Sequence, residues 1–386
     1  MSDKSFIFIC GAGRSGTTLL SNLLDGHPDI CSIPHETQFA AQWFRNKFLG
    51  IPDDQNKLLN INSGSCYQFT DPSYVKAHNG YLMARFKSAN LKSFTIDEKI
   101  LKQASQDLAK CTDGLSSLYL YLWQIYAGTT GETKKKYVVE KRPLDNEICA
   151  MSLKKSFPEA KFIHILRDPR TRYLSAKIRR RLKRRRYITN LKDQPFSIGH
   201  AEVSMASLEL AHLNRSVLPD DYLVIRYEDL ITDSQSSMQS IANFFGISFN
   251  KILLEQTIYN GSPATALSSI PEKSPDLEKT AIVNNLENRL TKYFNNTTVL
   301  EQKIVSLYCR DAAARFGYSL EQEQPVNLLD ILIGEKYASP FTMLQNRLFL
   351  FNALVKNHSY GSMKRKCSRD FANIVAQFFQ GNSIPD

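Results

Sequence analysis

No stretch of this sequence approaches the roughly 18 consecutive apolar residues of a membrane span. Met1-Ser2-Asp3-Lys4 runs straight into an apolar strand, without the h-region of a secretory signal. Both absences lead us to expect a cytoplasmic protein. Cys-x-x-Cys pairs are missing too. The seven cysteines, Cys10, Cys31, Cys66, Cys111, Cys149, Cys309 and Cys367, are scattered and odd in number, which speaks against a zinc knuckle or redox dithiol and for reduced, packed thiols. No basic stretch is interleaved with aromatics, so a nucleic-acid platform has no support. What is present suffices for a folded enzyme: 386 residues, 42% of them apolar, can bury a substantial core. A formal charge of +11 calls for an anionic partner, whether nucleotide, acidic glycan, nucleic acid or membrane surface.

The most informative absence is a single lysine. In Phe6-Ile7-Phe8-Ile9-Cys10-Gly11-Ala12-Gly13-Arg14-Ser15-Gly16-Thr17-Thr18-Leu19-Leu20, an apolar strand leads through a glycine-rich turn into a helix. Gly11 and Gly16 stand at the spacing of a nucleotide-binding phosphate loop and Thr18 takes its hydroxyl position, yet Thr17 occupies the lysine position. Backbone N–H groups at a helix N-terminus still cradle an anion without that lysine. Arg14 lies inside the loop and can supply the charge. The expected ligand is therefore a nucleotide-like anion other than ordinary Mg-ATP.

Four short apolar runs read as buried parallel strands: Phe6 to Cys10, Tyr137 to Val139, Lys161 to Leu166 and Tyr222 to Ile225. Helical patterns alternate with them, including Thr17 to Leu24, stopped by Gly26-His27-Pro28, and Ser234 to Phe245, stopped by Gly246. Alternation predicts an α/β fold, three-layered, with a central mostly parallel sheet between helices and ligands at the carboxyl ends of the strands. Residues 40–131 carry few strand signals and one clear helix, Leu115 to Tyr126, whose Tyr119, Tyr121, Trp123 and Tyr126 are expected to pack an insertion onto the core. Beyond Pro325 the pattern becomes a helical C-terminal appendage.

Five islands, in order, support a more specific reading. Gly13-Arg14-Ser15-Gly16-Thr17-Thr18 resembles the 5′-phosphosulfate loop of sulfotransferases, which use 3′-phosphoadenosine 5′-phosphosulfate (PAPS) as donor. His27-Pro28-Asp29 and His35-Glu36-Thr37 resemble signatures of the tyrosylprotein-type and bacterial carbohydrate-type branches. Val139-Glu140-Lys141-Arg142-Pro143 resembles the family's Glu-Lys-x-Pro element. The strand ending in Arg167, with Ser175 eight residues on, resembles its 3′-phosphate element, and Tyr227-Glu228-Asp229-Leu230 its downstream segment.

The resemblance implies roles. Arg14 would meet the 5′-phosphosulfate, with Gly13, Ser15, Gly16, Thr17 and Thr18 as cradle and Lys141 as a second cation at the transferring group. Arg167 and Ser175 would hold the 3′-phosphate, and Tyr227 would border the nucleotide. Glu36 is the expected base for the acceptor hydroxyl, with His35 as its rival, because a carboxylate or imidazole in reach can take the proton. His164 reads as a satisfied core histidine. No metal is required. The implied layout is a sulfotransferase domain at 1–324, with a helical insertion at about 40–131 and an extension at 325–386.

Acceptor and location are read from the distribution of charge. Eight of the ten residues 177–186 are cationic, Lys177, Arg179, Arg180, Arg181, Lys183, Arg184, Arg185 and Arg186, on the helix expected to carry Ser175. They form either a solvated face or an electrostatic guide for an anionic acceptor or lipid headgroups. A glycan or glycolipid hydroxyl is the expected acceptor, with peripheral contact at the inner face of the membrane through this tract and the C-terminal helices. Gln38, where tyrosylprotein-type members carry arginine, argues against a tyrosyl-peptide acceptor. The rival readings are a P-loop kinase or NTPase and a non-catalytic membrane- or nucleic-acid-binding protein on the same fold.

Overall fold

A computed structural model describes residues 4–36, 60–61, 65–66, 98–108, 114–184, 198–258, 261–263 and 286–320. Within them, β1 (Ser5–Cys10), β2 (Ile30–Glu36), β5 (Tyr137–Lys141), β6 (Lys161–Leu166) and β7 (Tyr222–Arg226) form one sheet in the order β2-β5-β1-β6-β7. Every neighbouring pair is parallel. Two small hairpins stand apart: β3 (Asn60–Ile61) with β4 (Ser65–Cys66), and β8 (Thr257–Ile258) with β9 (Ser262–Pro263).

Helices follow the strands: α1 (Thr17–Leu24), α2 (Glu98–Leu108), α3 (Gly114–Thr130), α4 (Asp145–Ile148), α5 (Ala150–Ser156) and α6 (Pro169–Arg184). The second half of the chain adds α7 (Ile198–Val217), α8 (Tyr227–Thr232), α9 (Ser234–Phe245), α10 (Leu286–Asn296) and α11 (Val299–Ala314).

The alternation of β1 sorts its side chains between two cores. Phe6, Phe8 and Cys10 join Tyr119, Trp123 and Tyr126 of α3 on one face, while Ile7 and Ile9 join Leu20 and Leu24 of α1 and Met238 and Phe245 of α9 on the other. A strand buried on both faces must be apolar throughout, which is why these runs stand out in the sequence. The expected packing of the α3 aromatics is observed: Tyr119 meets Phe8 edge to face at a centroid distance of 5.4 Å. A third cluster, of Leu166, Tyr173, Ala211, Ile304 and Tyr308, seals α6, α7 and α11 beside β6.

The strand of the central sheet missed in the sequence is β2. Its Pro34 cannot donate to a ladder, which argues against a central strand. The structure resolves this by placing β2 at the sheet edge, with an irregular register between Ser32 and Glu36. The other four strands of the sheet and both glycine-stopped helices lie where expected, with Gly26 and Gly246 at φ 77° and 68°, while the four short hairpin strands were not anticipated. Most of the 40–131 insertion and all of the 325–386 extension lie outside the described residues.

Candidate active site

The carboxyl end of β1 lies at the centre of the sheet, and the loop that leaves it is built around glycine. Gly11, at φ 134°, would carry a Cβ 2.5 Å from the Ile165 carbonyl oxygen, and Gly16, at φ 108°, a Cβ 2.5 Å from the Tyr227 ring. A Cβ on Gly13 would meet nothing within 4 Å, so the loop is open there. Arg14 adopts φ 78°, a left-handed conformation that a non-glycine residue takes only at a cost. Gly16 caps α1 and, having no side chain, supplies no cap to the N–H groups of the first turn. Gly16→Ala should therefore destabilise the fold by about 1–3 kcal/mol through backbone strain alone, read as a lower denaturation midpoint. An unchanged midpoint would mean that Gly16 is not held in the left-handed region.

Basic side chains set the direction of the loop's peptides. Arg172 donates to the Gly13 carbonyl at 2.9 Å and Arg167 to the Arg14 carbonyl at 3.0 Å. A trans peptide carries its N–H opposite its C=O, so holding the Gly13 carbonyl turns the Arg14 N–H away from Arg172. The Ser15 N–H closes a turn onto the Ala12 carbonyl at 3.0 Å. Arg14 extends its own side chain to Ser175, with Nε 3.2 Å from the hydroxyl. The two groups expected at opposite ends of a bisphosphate thus touch each other.

Arg167 also donates to the Thr171 hydroxyl at 3.0 Å and lies over the Tyr227 ring at 4.6 Å. Arg289 of α10 lies over the same ring at 5.2 Å. Burial, followed by the neighbouring cations Arg167 and Arg14, lowers the Arg172 guanidinium to about 10. Burial also lowers Arg167, offset in part by Tyr227 and deepened by Arg289. Cations that depress one another form a site suited to an anion.

At the other end of the loop, Lys141 donates to the Thr18 hydroxyl at 3.1 Å. It is a buried residue and not a solvated strand end. Glu36 is the β2 residue paired with Lys141 in the sheet register, so its backbone stands beside the cradle; the side chains of His35 and Glu36 lie outside the described residues.

Several neighbours are structural. His164 is buried between the Tyr222 hydroxyl at 2.8 Å and the Ser207 hydroxyl at 2.9 Å, and burial pushes it down to about 3, as a satisfied core histidine requires. Lys177, read above as part of a surface tract, is instead buried and pairs with Glu301 at 2.7 Å. The tract therefore loses its first cation to the core, because α11 brings a carboxylate onto α6. Asp229 is exposed on α8, and among the described residues no cluster of acidic, histidine or cysteine side chains could hold a metal.

The sequence reading missed Arg172 and Arg289. Arg172 had a signal. Arg167, Thr171 and Ser175 recur at intervals of four, one helical face that starts at the strand end, and Arg172 adjoins it. Arg289 had none, since it arrives from α10, more than a hundred residues away.

Residues 6–251 match the model described as the sulfotransferase family. The omega-hydroxy-beta-dihydromenaquinone-9 sulfotransferases Stf3 of Mycobacterium bovis and Mycobacterium tuberculosis are each 25% identical to the chain over 259 residues, 62% of this chain and 62% of their own length. The sulfotransferase domain from the curacin biosynthetic pathway shares the fold, with a TM-score of 0.50 at 19% identity over 82% of this chain and 99% of that one.

Proposed function

Because the chain belongs to the sulfotransferase family, we propose that it transfers a sulfuryl group from PAPS to an acceptor hydroxyl. The observation that carries this reading is the convergence on one glycine loop of Arg167, Ser175 and Tyr227 at one end and Lys141 with Thr18 at the other, with Arg14 of the loop itself reaching Ser175. PAPS supplies the activated sulfur and carries charge at both phosphates. The lysine-free loop fits it, since two separated anionic groups need two cationic ends.

In the reaction, the bond between sulfur and the bridging phosphate oxygen breaks as the acceptor oxygen bonds to sulfur. Arg14, Lys141 and the N–H groups of the α1 first turn neutralise the charge that grows on the leaving phosphate, the kind of stabilisation worth most in a preorganised site. Glu36 takes the proton from the acceptor hydroxyl. Arg167 and Ser175 orient the donor by its 3′-phosphate, so that the acceptor meets sulfur in line.

The acceptor reading, a glycan or glycolipid hydroxyl, rests on the cationic tract that continues α6 beyond Ser175. The Stf3 relatives are named for a hydroxylated menaquinone, and an acceptor panel containing both classes separates the two. No helix among the described residues is long and apolar enough to cross a membrane.

The donor site has a direct test. In calorimetry, 3′-phosphoadenosine 5′-phosphate (PAP) should bind at least about tenfold more tightly than AMP, since one hydrogen bond to a charged group contributes about 1.5–3 kcal/mol. Arg167→Ala should erase most of that preference. Equal affinities in the native protein would remove the assigned roles of Arg167 and Ser175.

A further inference from the structure

Against the start of the loop lies a fully buried polar chain. The Gly11 N–H donates to Glu147 Oε2 at 3.0 Å, and the Ala12 N–H donates to Ser207 Oγ at 3.0 Å. Ser207 Oγ lies 3.3 Å from Glu147 Oε1 and 2.9 Å from His164 Nε2. His164 Nδ1 lies 2.8 Å from the Tyr222 hydroxyl. Asn214 Nδ2 reaches both that hydroxyl, at 3.2 Å, and the Glu147 carbonyl, at 2.7 Å. Every side chain in the chain is buried, on four elements: α4, β6, α7 and β7.

With Glu147 ionised, acceptor strength and proton counting together give each bond a direction. Asn214 has only donors at Nδ2, so Tyr222 must accept from it; the single phenol proton has two acceptors in reach, His164 Nδ1 and the Cys10 sulfur, and goes to the nitrogen at 2.8 Å because a thiol is a weak acceptor. Neutral His164 then accepts at Nδ1 and carries its proton on Nε2, directed at Ser207. Ser207 accepts from both His164 and Ala12, which leaves its own proton for the Glu147 carboxylate. Each donor in this arrangement has one acceptor, and the sequence of bonds ends on a carboxylate that also accepts from Gly11. The Cys10 thiol beside the network is held protonated, by burial first and then by the charge of Glu147.

We propose that Glu147, Ser207 and His164 are positioning residues for the sulfuryl-transfer loop. They draw the first two loop N–H groups inward, so that the peptides from Gly13 onward open toward the donor. A loop anchored by this chain at Gly11 and Ala12, and by Arg172 and Arg167 at the Gly13 and Arg14 carbonyls, is held at four successive residues. Such a loop reorganises little when the anion binds, which is the condition for electrostatic catalysis. Glu147 touches neither donor nor acceptor in this role; it acts through the backbone. The assignment rests on the reading that PAPS occupies the loop.

The test uses the full chain and PAP as probe. In the native protein, imidazole nitrogen NMR should show His164 as the Nε2–H tautomer, and PAP should shift its signals. The opposite tautomer would overturn the proposal. Ser207→Ala removes one acceptor from a loop N–H and should weaken PAP binding and raise the KM for PAPS by about tenfold, with the KM for the acceptor unchanged. A loss of mere packing would instead lower the active fraction and leave the affinity of the folded protein as it was. Glu147→Gln keeps the shape but loses an acceptor, and should reproduce the tenfold loss. Folded variants that bind PAP as the native protein does would refute the relay, and if neither variant folds, the tautomer decides. Failure of the native protein to bind PAP would instead refute the donor reading on which the relay depends.

Discussion

Glu36→Gln should lower turnover by about 10² to 10⁴, the range contributed by a positioned general base, while PAP affinity stays within about twofold of the native value. Glutamine keeps the volume and can accept a hydrogen bond, but it cannot take a proton at neutral pH. The prediction depends on register: β2 pairs Glu36 with Lys141, and Lys141 reaches Thr18 in the cradle, so strand pairing sets the proposed base beside the proposed donor site. Bulged edge strands re-aim side chains near active sites, and the register irregularity just before Glu36 is of that kind. A steady-state assay with saturating PAPS, together with PAP calorimetry, separates turnover from binding. A rate equal to the native one would transfer the role to His35, and a parallel loss of PAP affinity would make Glu36 a donor-binding residue.

The second large effect is on stability in acid. His164 titrates near 6.5 in an unfolded chain and near 3 when buried between Tyr222 and Ser207. Between those values the unfolded state holds a proton that the folded state lacks, so the fold is undisturbed by this group above 6.5 and loses stability as the pH falls toward 3. The slope is about 1.4 kcal/mol per pH unit, or about 3 kcal/mol by pH 4. Protonation at Nδ1 would also displace the hydrogen bond donated by Tyr222 and break the chain of donors against the loop. Urea unfolding of the native protein and of His164→Gln, compared from pH 7 to pH 4, isolates the term, because the buried carboxylates are common to both. Parallel curves would show that burial does not hold this histidine neutral.

Much of the scaffold was legible because its signals are local. β1 and β6 are short, doubly buried and rich in branched and aromatic residues, β7 is a short apolar strand beside them, and α1 and α9 each end at a glycine in the left-handed region. β2 was hidden because a proline usually marks the end of a strand, and only its edge position permits it. Lys177 shows the converse failure. In sequence it belongs to a run of cations and reads as surface, while in the fold Glu301, Tyr173 and the Asn296 carbonyl enclose that position. Charge patterning along a helix does not reveal which turn faces a later helix.

The sequence by itself determined that the chain is built around an anion-binding glycine turn without the usual lysine, and that it carries the sulfotransferase islands in order. Those properties depend on the identities and spacing of neighbouring residues, since a positive φ and a close backbone approach are met by glycine wherever it stands. Only the tertiary structure decided which cations share the site and what anchors the loop. Arg14, Ser175 and Arg289, like Gly11, Glu147 and Ser207, lie far apart along the chain. Their meeting follows from the order β2-β5-β1-β6-β7, which brings the ends of β1, β5 and β6 together. Side-chain hydrogen bonds act over about 3 Å, so the packing of strands and helices, and not separation in sequence, selects the partners.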